Sequence, residues 1–289
     1  MTLDEIVEGV EQLCSLPDAV IRANQLIDSP SAGAADIGEV ISKDPALSAQ
    51  LLRLVNSAFY SFQEPVNSLK RAISVVGTRE LRSLILSASA ADVFNQIAPD
   101  TIDMDDFWQR SVYVGLIAGK LSKHLGIGRG EIPFLIGLLH DVGKIVLFNR
   151  LPDAMGRILE ETEQSGRPLY QVEKEHLGFC AADVGAALLE NWSLGDSISV
   201  PIRYQHSPDE APSDLTSAQI LNLSIAVTAC VEPELKQTPT LELESLDIDR
   251  QWLSETTVTL EDLDAIIMEV NLECFDVLQI VNPGALSIY

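Results

Sequence analysis

Gly137-Leu138-Leu139-His140-Asp141-Val142-Gly143-Lys144 is the stretch that decides how this chain folds. Its apolar surroundings read as buried helix. A His and an Asp side by side in such a setting are costly to bury. Two arrangements offset that cost: coordination of a divalent metal, or a hydrogen-bonded polar pair. The rest of the chain discriminates between them.

Helical periodicity extends outward from this stretch in both directions. Leu3, Ile6, Val7, Val10 and Leu13 recur at three- and four-residue steps, as do Leu47, Leu51, Leu54 and Val55. Alternating β-branched runs closed by Asn-Gly or Asp-Gly turns are scarce. The expected fold is therefore all-α. Turn signals such as Asp28-Ser29-Pro30, Gln63-Glu64-Pro65, Gly77-Thr78 and Ser165-Gly166-Arg167-Pro168 cut the chain into short helices. Asp44-Pro45 places a capping acceptor before a proline at the first helical position. Asp103 or Asp105 is expected to start the helix near Phe107, and Thr259 the last amphipathic helix, striped by Leu260, Leu263, Ile266, Ile267 and Val270.

Composition narrows the function classes. With 289 residues the chain can bury a sizeable core, and 46% apolar residues is typical of a globular protein. No apolar run reaches the length of a membrane span, and Met1-Thr2-Leu3-Asp4-Glu5 lacks a basic signal-peptide start. A cytoplasmic location is expected. Cys14, Cys180, Cys230 and Cys274 are widely spaced, with no CxxC pair, and read as reduced thiols. The net charge of −24 repels phosphate, which disfavours duplex nucleic acid and anionic membranes as partners. Between Glu232 and Asp276 there are thirteen acids and two bases, and 236–249 reads as an exposed acidic loop.

Further segments carry the family likeness. They are Ile41-Ser42-Lys43-Asp44-Pro45-Ala46-Leu47, Leu54-Val55-Asn56-Ser57-Ala58-Phe59-Tyr60, and Ser68-Leu69-Lys70-Arg71-Ala72-Ile73 through Gly77. Phe107-Trp108, the His140-Asp141 stretch, Leu177-Gly178-Phe179, Val184-Gly185 through Trp192, and Tyr204-Gln205-His206-Ser207-Pro208 follow. In this order they resemble the HDOD family, the HD-related output domain of bacterial signalling proteins, over roughly residues 10–230. The resemblance implies an N-terminal helical lobe over 1–95 and an HD-like helical lobe over 96–231. The acidic loop and C-terminal helix over 232–289 are expected to pack on the latter.

The family is similar to HD-type phosphohydrolases, including cyclic di-GMP phosphodiesterases, which hold divalent metals on a first His, the His-Asp pair, further histidines and a late Asp. The matching positions here depart from that pattern. Arg110 stands where the first His would fall, and Ala181 near the His after Gly178-Phe179. A double His survives only as Gln205-His206, and Leu221 to Ala226 contains no late acid. An arginine stays protonated and cannot ligate a metal. The expected site is thus a degenerate one made of Arg110, His140, Asp141, Lys144 and His206. It would bind a ligand or partner without metal, cofactor or catalytic residue, with Arg110 or Lys144 pairing Asp141.

The implied function is a non-catalytic output or scaffold module of signal transduction. Its partner would be a regulatory protein or a small ligand, nucleotides included. The rival is a metal-dependent phosphohydrolase or cyclic-dinucleotide phosphodiesterase with an altered ligand set. Four features have blander readings. The helix-turn-helix look of 68–86 is ordinary core spacing, so no DNA binding is expected. Asn56 to Tyr60 reads as a helix end packing its ring on the second half. His124 and His176 read as surface residues, and Gly115 and Gly119 as close helix packing.

Overall fold

Asp44 shows how the sequence sets helix starts: its carboxylate accepts the Leu47 amide at 3.0 Å, with Pro45 at the first helical position. Asp103 does the same, accepting from Asp105 N at 2.9 Å and Asp106 N at 3.2 Å, so Asp103 and not Asp105 is the cap. Thr259 and Asp262 form a reciprocal capping box. The computed structural model describes residues 1–11, 16–60, 62, 64–231, 248 and 250–283. Leu13, Cys14 and nearly all of the expected loop 236–249 lie outside the described residues.

Among the described residues there are sixteen α-helices, one short 3-10 turn and no strand. The first six are α1 (Leu3–Glu11), α2 (Asp18–Asp28), α3 (Ala34–Ser42), α4 (Pro45–Val55), α5 (Leu69–Val76) and α6 (Thr78–Phe94). Helices α7 (Met104–His124), α8 (Glu131–Leu139), α9 (Val142–Arg150), α10 (Pro152–Ser165) and α11 (Leu169–Leu177) follow. The last are α12 (Ala181–Asn191), α13 (Asp196–Arg203), α14 (Leu215–Val231), α15 (Arg250–Glu255) and α16 (Leu260–Val281). None of the described helices is long and apolar enough to cross a membrane.

Two helices form the interior. Every residue of α6 from Ser83 to Ala91 is buried, and every residue of α7 from Ser111 to Gly119. Helix α6 packs on α2, α4, α8 and α16, and α7 on α8, α14 and α16. From Ser83 onward α6, the second helix of the 68–86 pair, is thus a core helix packed on several neighbours. Gly77, with φ of 93°, turns the chain between α5 and α6. One continuous apolar core runs through both segments. Helix α1, within the 1–95 segment, packs on α9 and α12 of the 96–231 segment. Helix α16 lies chiefly on α7 and also touches α4 and α6.

Glycines set the closest approaches. A Cβ on Gly137 would fall 2.6 Å from Gly115 Cα, so α8 lies directly against the α7 backbone. A Cβ on Gly143 would fall 2.0 Å from the Ala181 carbonyl oxygen and 2.5 Å from Gly185 N. These two contacts draw α7, α8, α9 and α12 together around His140-Asp141. The aromatics complete the core. Trp108 is fully buried and donates its indole N–H to Asn95 Oδ1 at 2.8 Å, while Trp192 is half-buried against Phe94.

Candidate functional site

His140 and Asp141 sit at the break between α8 and α9. His140 is buried, and its ring Nδ1 lies 2.7 Å from the Gly137 carbonyl. A carbonyl can only accept, so Nδ1 carries the hydrogen and Nε2 is left as the acceptor of a neutral ring. Burial lowers the His140 pKa, against the pull of neighbouring Asp141. Asp141 occupies the position before α9 and has Lys144 Nζ at 3.9 Å, one turn on. Of its two expected cationic neighbours, Lys144 is thus an ion-pair partner.

Three further elements close the site. From α7 comes Arg110; from α11 come Tyr170 and Glu173; from the turn after α13 come Gln205 and His206. A cavity of about 230 Å³ is lined by Arg110, His140, Asp141, Lys144, Glu173 and His206, among others. All five residues expected from the sequence therefore face one space. Ala181 and Ile225, at positions where HD enzymes are expected to carry a His and near a late Asp, line it too. A second, wider cavity of about 660 Å³ opens beside it toward Asp103, Asp106 and Phe148. Arg110, Asp141 and Lys144 belong to the walls of both.

Hydrogen bonds hold the frame. Gln205 Nε2 donates to the His140 carbonyl at 3.2 Å, and Asn222 Nδ2 donates to the Gln205 carbonyl at 2.8 Å. His206 stacks face to face on Tyr170, with centroids 4.1 Å apart and planes 6° from parallel. Burial drops its pKa to about 4, so the ring is neutral at pH 7 despite the attraction of Asp141.

Glu173 was not singled out by the sequence. It is 1% exposed, accepts the Ala181 amide at 2.9 Å on Oε2, and leaves Oε1 without a hydrogen-bond partner. Burial raises its pKa to about 7, reinforced by the charge of Asp141. Gln205 Oε1 is likewise buried and without a hydrogen-bond partner. Two such atoms therefore belong to residues lining this one cavity. The sequence held one usable clue. Val172-Glu173 is the inward edge of α11, and Glu173 falls beside an apolar position rather than opposite it. His176 and His124 lie outside this constellation: His176 is exposed and bonds Glu161 at 2.7 Å, and His124 lies 3.7 Å from Asp262.

The donor set does not fit an HD-type metal centre. Among the described residues no group of three or more His, Cys, Asp or Glu is arranged to hold a metal ion. What faces the cavity is a mixed set of two neutral imidazoles, acids, a guanidinium and an ammonium. A metal would need several anionic or neutral ligands with no fixed cation among them.

The HDOD domain profile matches residues 13–208. The chain belongs to the HDOD family. A Treponema pallidum (strain Nichols) protein, described as uncharacterized, is 28% identical over 211 residues, or 72% of this chain. The chain spans only 40% of the length of that relative. Among solved structures, an HDOD domain protein of unknown function from Geobacter sulfurreducens matches with a TM-score of 0.73 and 22% identity, over 99% of this chain and 97% of that one. A Shewanella amazonensis SB2B protein, provisionally named a phosphohydrolase, matches with a TM-score of 0.72 and 24% identity, over 96% and 97%. At such identities these structures show the shared helical fold.

Proposed function

We propose that this HDOD chain is a non-catalytic output or scaffold module of cytoplasmic signal transduction. It binds a regulatory protein or a small ligand, nucleotides included, at the cavity lined by Arg110, His140, Asp141, Lys144 and His206. One observation carries the reading: Arg110 lines the same space as His140 and Asp141, at the position where the family's metal-binding relatives are expected to carry a histidine. A guanidinium there opposes a divalent cation and can itself meet an acidic or phosphorylated group. The cavity lining holds no Ser, Thr or Cys that His140 or His206 could activate as a nucleophile. The lobes over 1–95 and 96–231 act as the frame that presents this cavity and the surfaces around it.

Hydrolysis assays test the proposal. Cyclic di-GMP and nitrophenyl phosphates are incubated with the protein and added Mn²⁺ or Fe²⁺. No turnover above background is expected. Turnover that Asp141→Ala abolishes would make the chain a metal-dependent phosphohydrolase instead.

A further inference from the structure

Helix α16 has two unlike faces. One face buries Leu263, Ile266, Val270, Val277 and Val281 against α7, α6 and α4. The opposite face exposes three large apolar side chains: Met268 at 69%, Leu272 at 81% and Phe275 at 54%. At 100° per residue these positions, i, i+4 and i+7, fall on one stripe about 10 Å long. Single exposed apolar residues are ordinary, but three in register on a well-anchored helix form a patch.

The anchoring is polar as well as apolar. Lys120 Nζ on α7 donates to Glu269 at 2.7 Å and to Glu273 at 2.9 Å, and Asn282 reaches Asp105 at 3.3 Å. These pairings run α16 antiparallel along α7 and fix which side faces outward.

Charge says what the stripe suits. Exposed Glu261 and Asp264 continue the stripe toward the N-terminus of α16, and exposed Asp276 borders it near Phe275. From Leu260 to Val281 the helix contains no Lys, Arg or His. A second copy of this chain would bring acids against acids, and each copy carries −24. An anionic membrane would be repelled for the same reason. We propose that the outward face of α16 docks a basic amphipathic helix of another protein. The partner's apolar residues would cover Met268, Leu272 and Phe275, and its Lys or Arg would meet Glu261, Asp264 and Asp276. This surface is separate from the cavity around His140.

A fluorescein-labelled Leu/Lys helical peptide, with leucines at the i, i+4 and i+7 spacing, is the probe. Anisotropy titrations compare the full chain with Leu272→Ser/Phe275→Ser, and with Glu261→Gln/Asp264→Asn. The expected result is at least tenfold weaker binding for the first variant. The second should bind several-fold more weakly, with a shallower salt dependence. A Gln/Lys peptide without the leucines controls for simple attraction to an acidic protein and should bind far more weakly. Met268→Lys repeats the test if the double serine variant loses its helical circular dichroism. The proposal is overturned if the Leu/Lys peptide fails to bind, if it binds the wild type and the serine variant alike, or if the leucine-free peptide binds as well. A wild-type dimer in sedimentation that Leu272→Ser/Phe275→Ser dissociates would also overturn it, making the face a contact between copies.

Discussion

Two short motifs stood out in the sequence, Asn56 to Tyr60 and His140-Asp141, and the structure treats their polar groups in opposite ways. At the first, the Asn56 and Ser57 side chains are answered close by. Asn56 donates to Val66 O at 2.9 Å and accepts from Val66 N at 2.7 Å, and Ser57 donates to Leu54 O at 2.7 Å. Phe59 is 2% exposed, packs on Phe134 at 4.8 Å, and has Lys123 Nζ 4.2 Å over its ring. At the second, a cavity remains, and Glu173 Oε1 and Gln205 Oε1 are buried without partners. The first motif is a closed joint between α4, α7 and α8. The second leaves two polar atoms unmet beside an open cavity, the room that the proposed binding role would use.

The contrast can be broken most forcefully through the frame of the second motif. Gly143→Ala puts a Cβ 2.0 Å from the Ala181 carbonyl, which neither backbone can relieve cheaply. A loss of about 3 kcal/mol or more in urea denaturation is expected. A loss under about 1 kcal/mol would mean that α9 and α12 slide freely and the cavity is not held in shape.

Glu173 sharpens the contrast through pH. Its folded pKa of about 7 lies above the ordinary 4.5, so the folded protein holds a proton that the unfolded chain has released. Stability attributable to this group therefore falls as pH rises from about 4.5 to 7 and is level above that. His206, depressed to about 4, acts in the opposite sense: its contribution is lost as pH falls from about 6.5. Comparing Glu173→Gln with wild type separates the two. The variant's relative stability should climb by roughly 1–3 kcal/mol between pH 5 and 8. A pH-independent difference would show that Glu173 is not held protonated.

The smallest effect belongs to the closed joint. Asn56→Ala should cost about 1–2 kcal/mol, because the Val66 backbone loses both partners at a partly exposed position. Binding at the His140 cavity should be untouched. A change in ligand affinity equal to that of a cavity variant would erase the distinction between joint and site.

The fold was legible because its signals are local. Apolar spacing, the Asp44-Pro45 and Thr259 caps and the glycine turns each act within a few residues, and each is seen in the helices. The five candidate residues were legible through the family pattern, and the structure gathers them on one cavity. Glu173 and Tyr170 were not, since neither occupies a position where a metal ligand was sought. Their roles arise from the way α11 packs between α10 and α12. The exposed stripe of α16 was hidden for a related reason. Apolar residues on both sides of a helix look alike in sequence, and only packing on α7 reveals which side is left over. The length of α16 was also underread: the stripe ending at Val270 continues to Val281.

The central claim is that Arg110 has taken a metal ligand's place, so metal content tests it most directly. The purified protein is loaded with Mn²⁺, Fe²⁺ or Zn²⁺, dialysed exhaustively, and assayed by elemental analysis alongside His140→Ala. The account predicts far less than one equivalent of any metal in both proteins. One or more equivalents in the wild type, lost in His140→Ala, would contradict it.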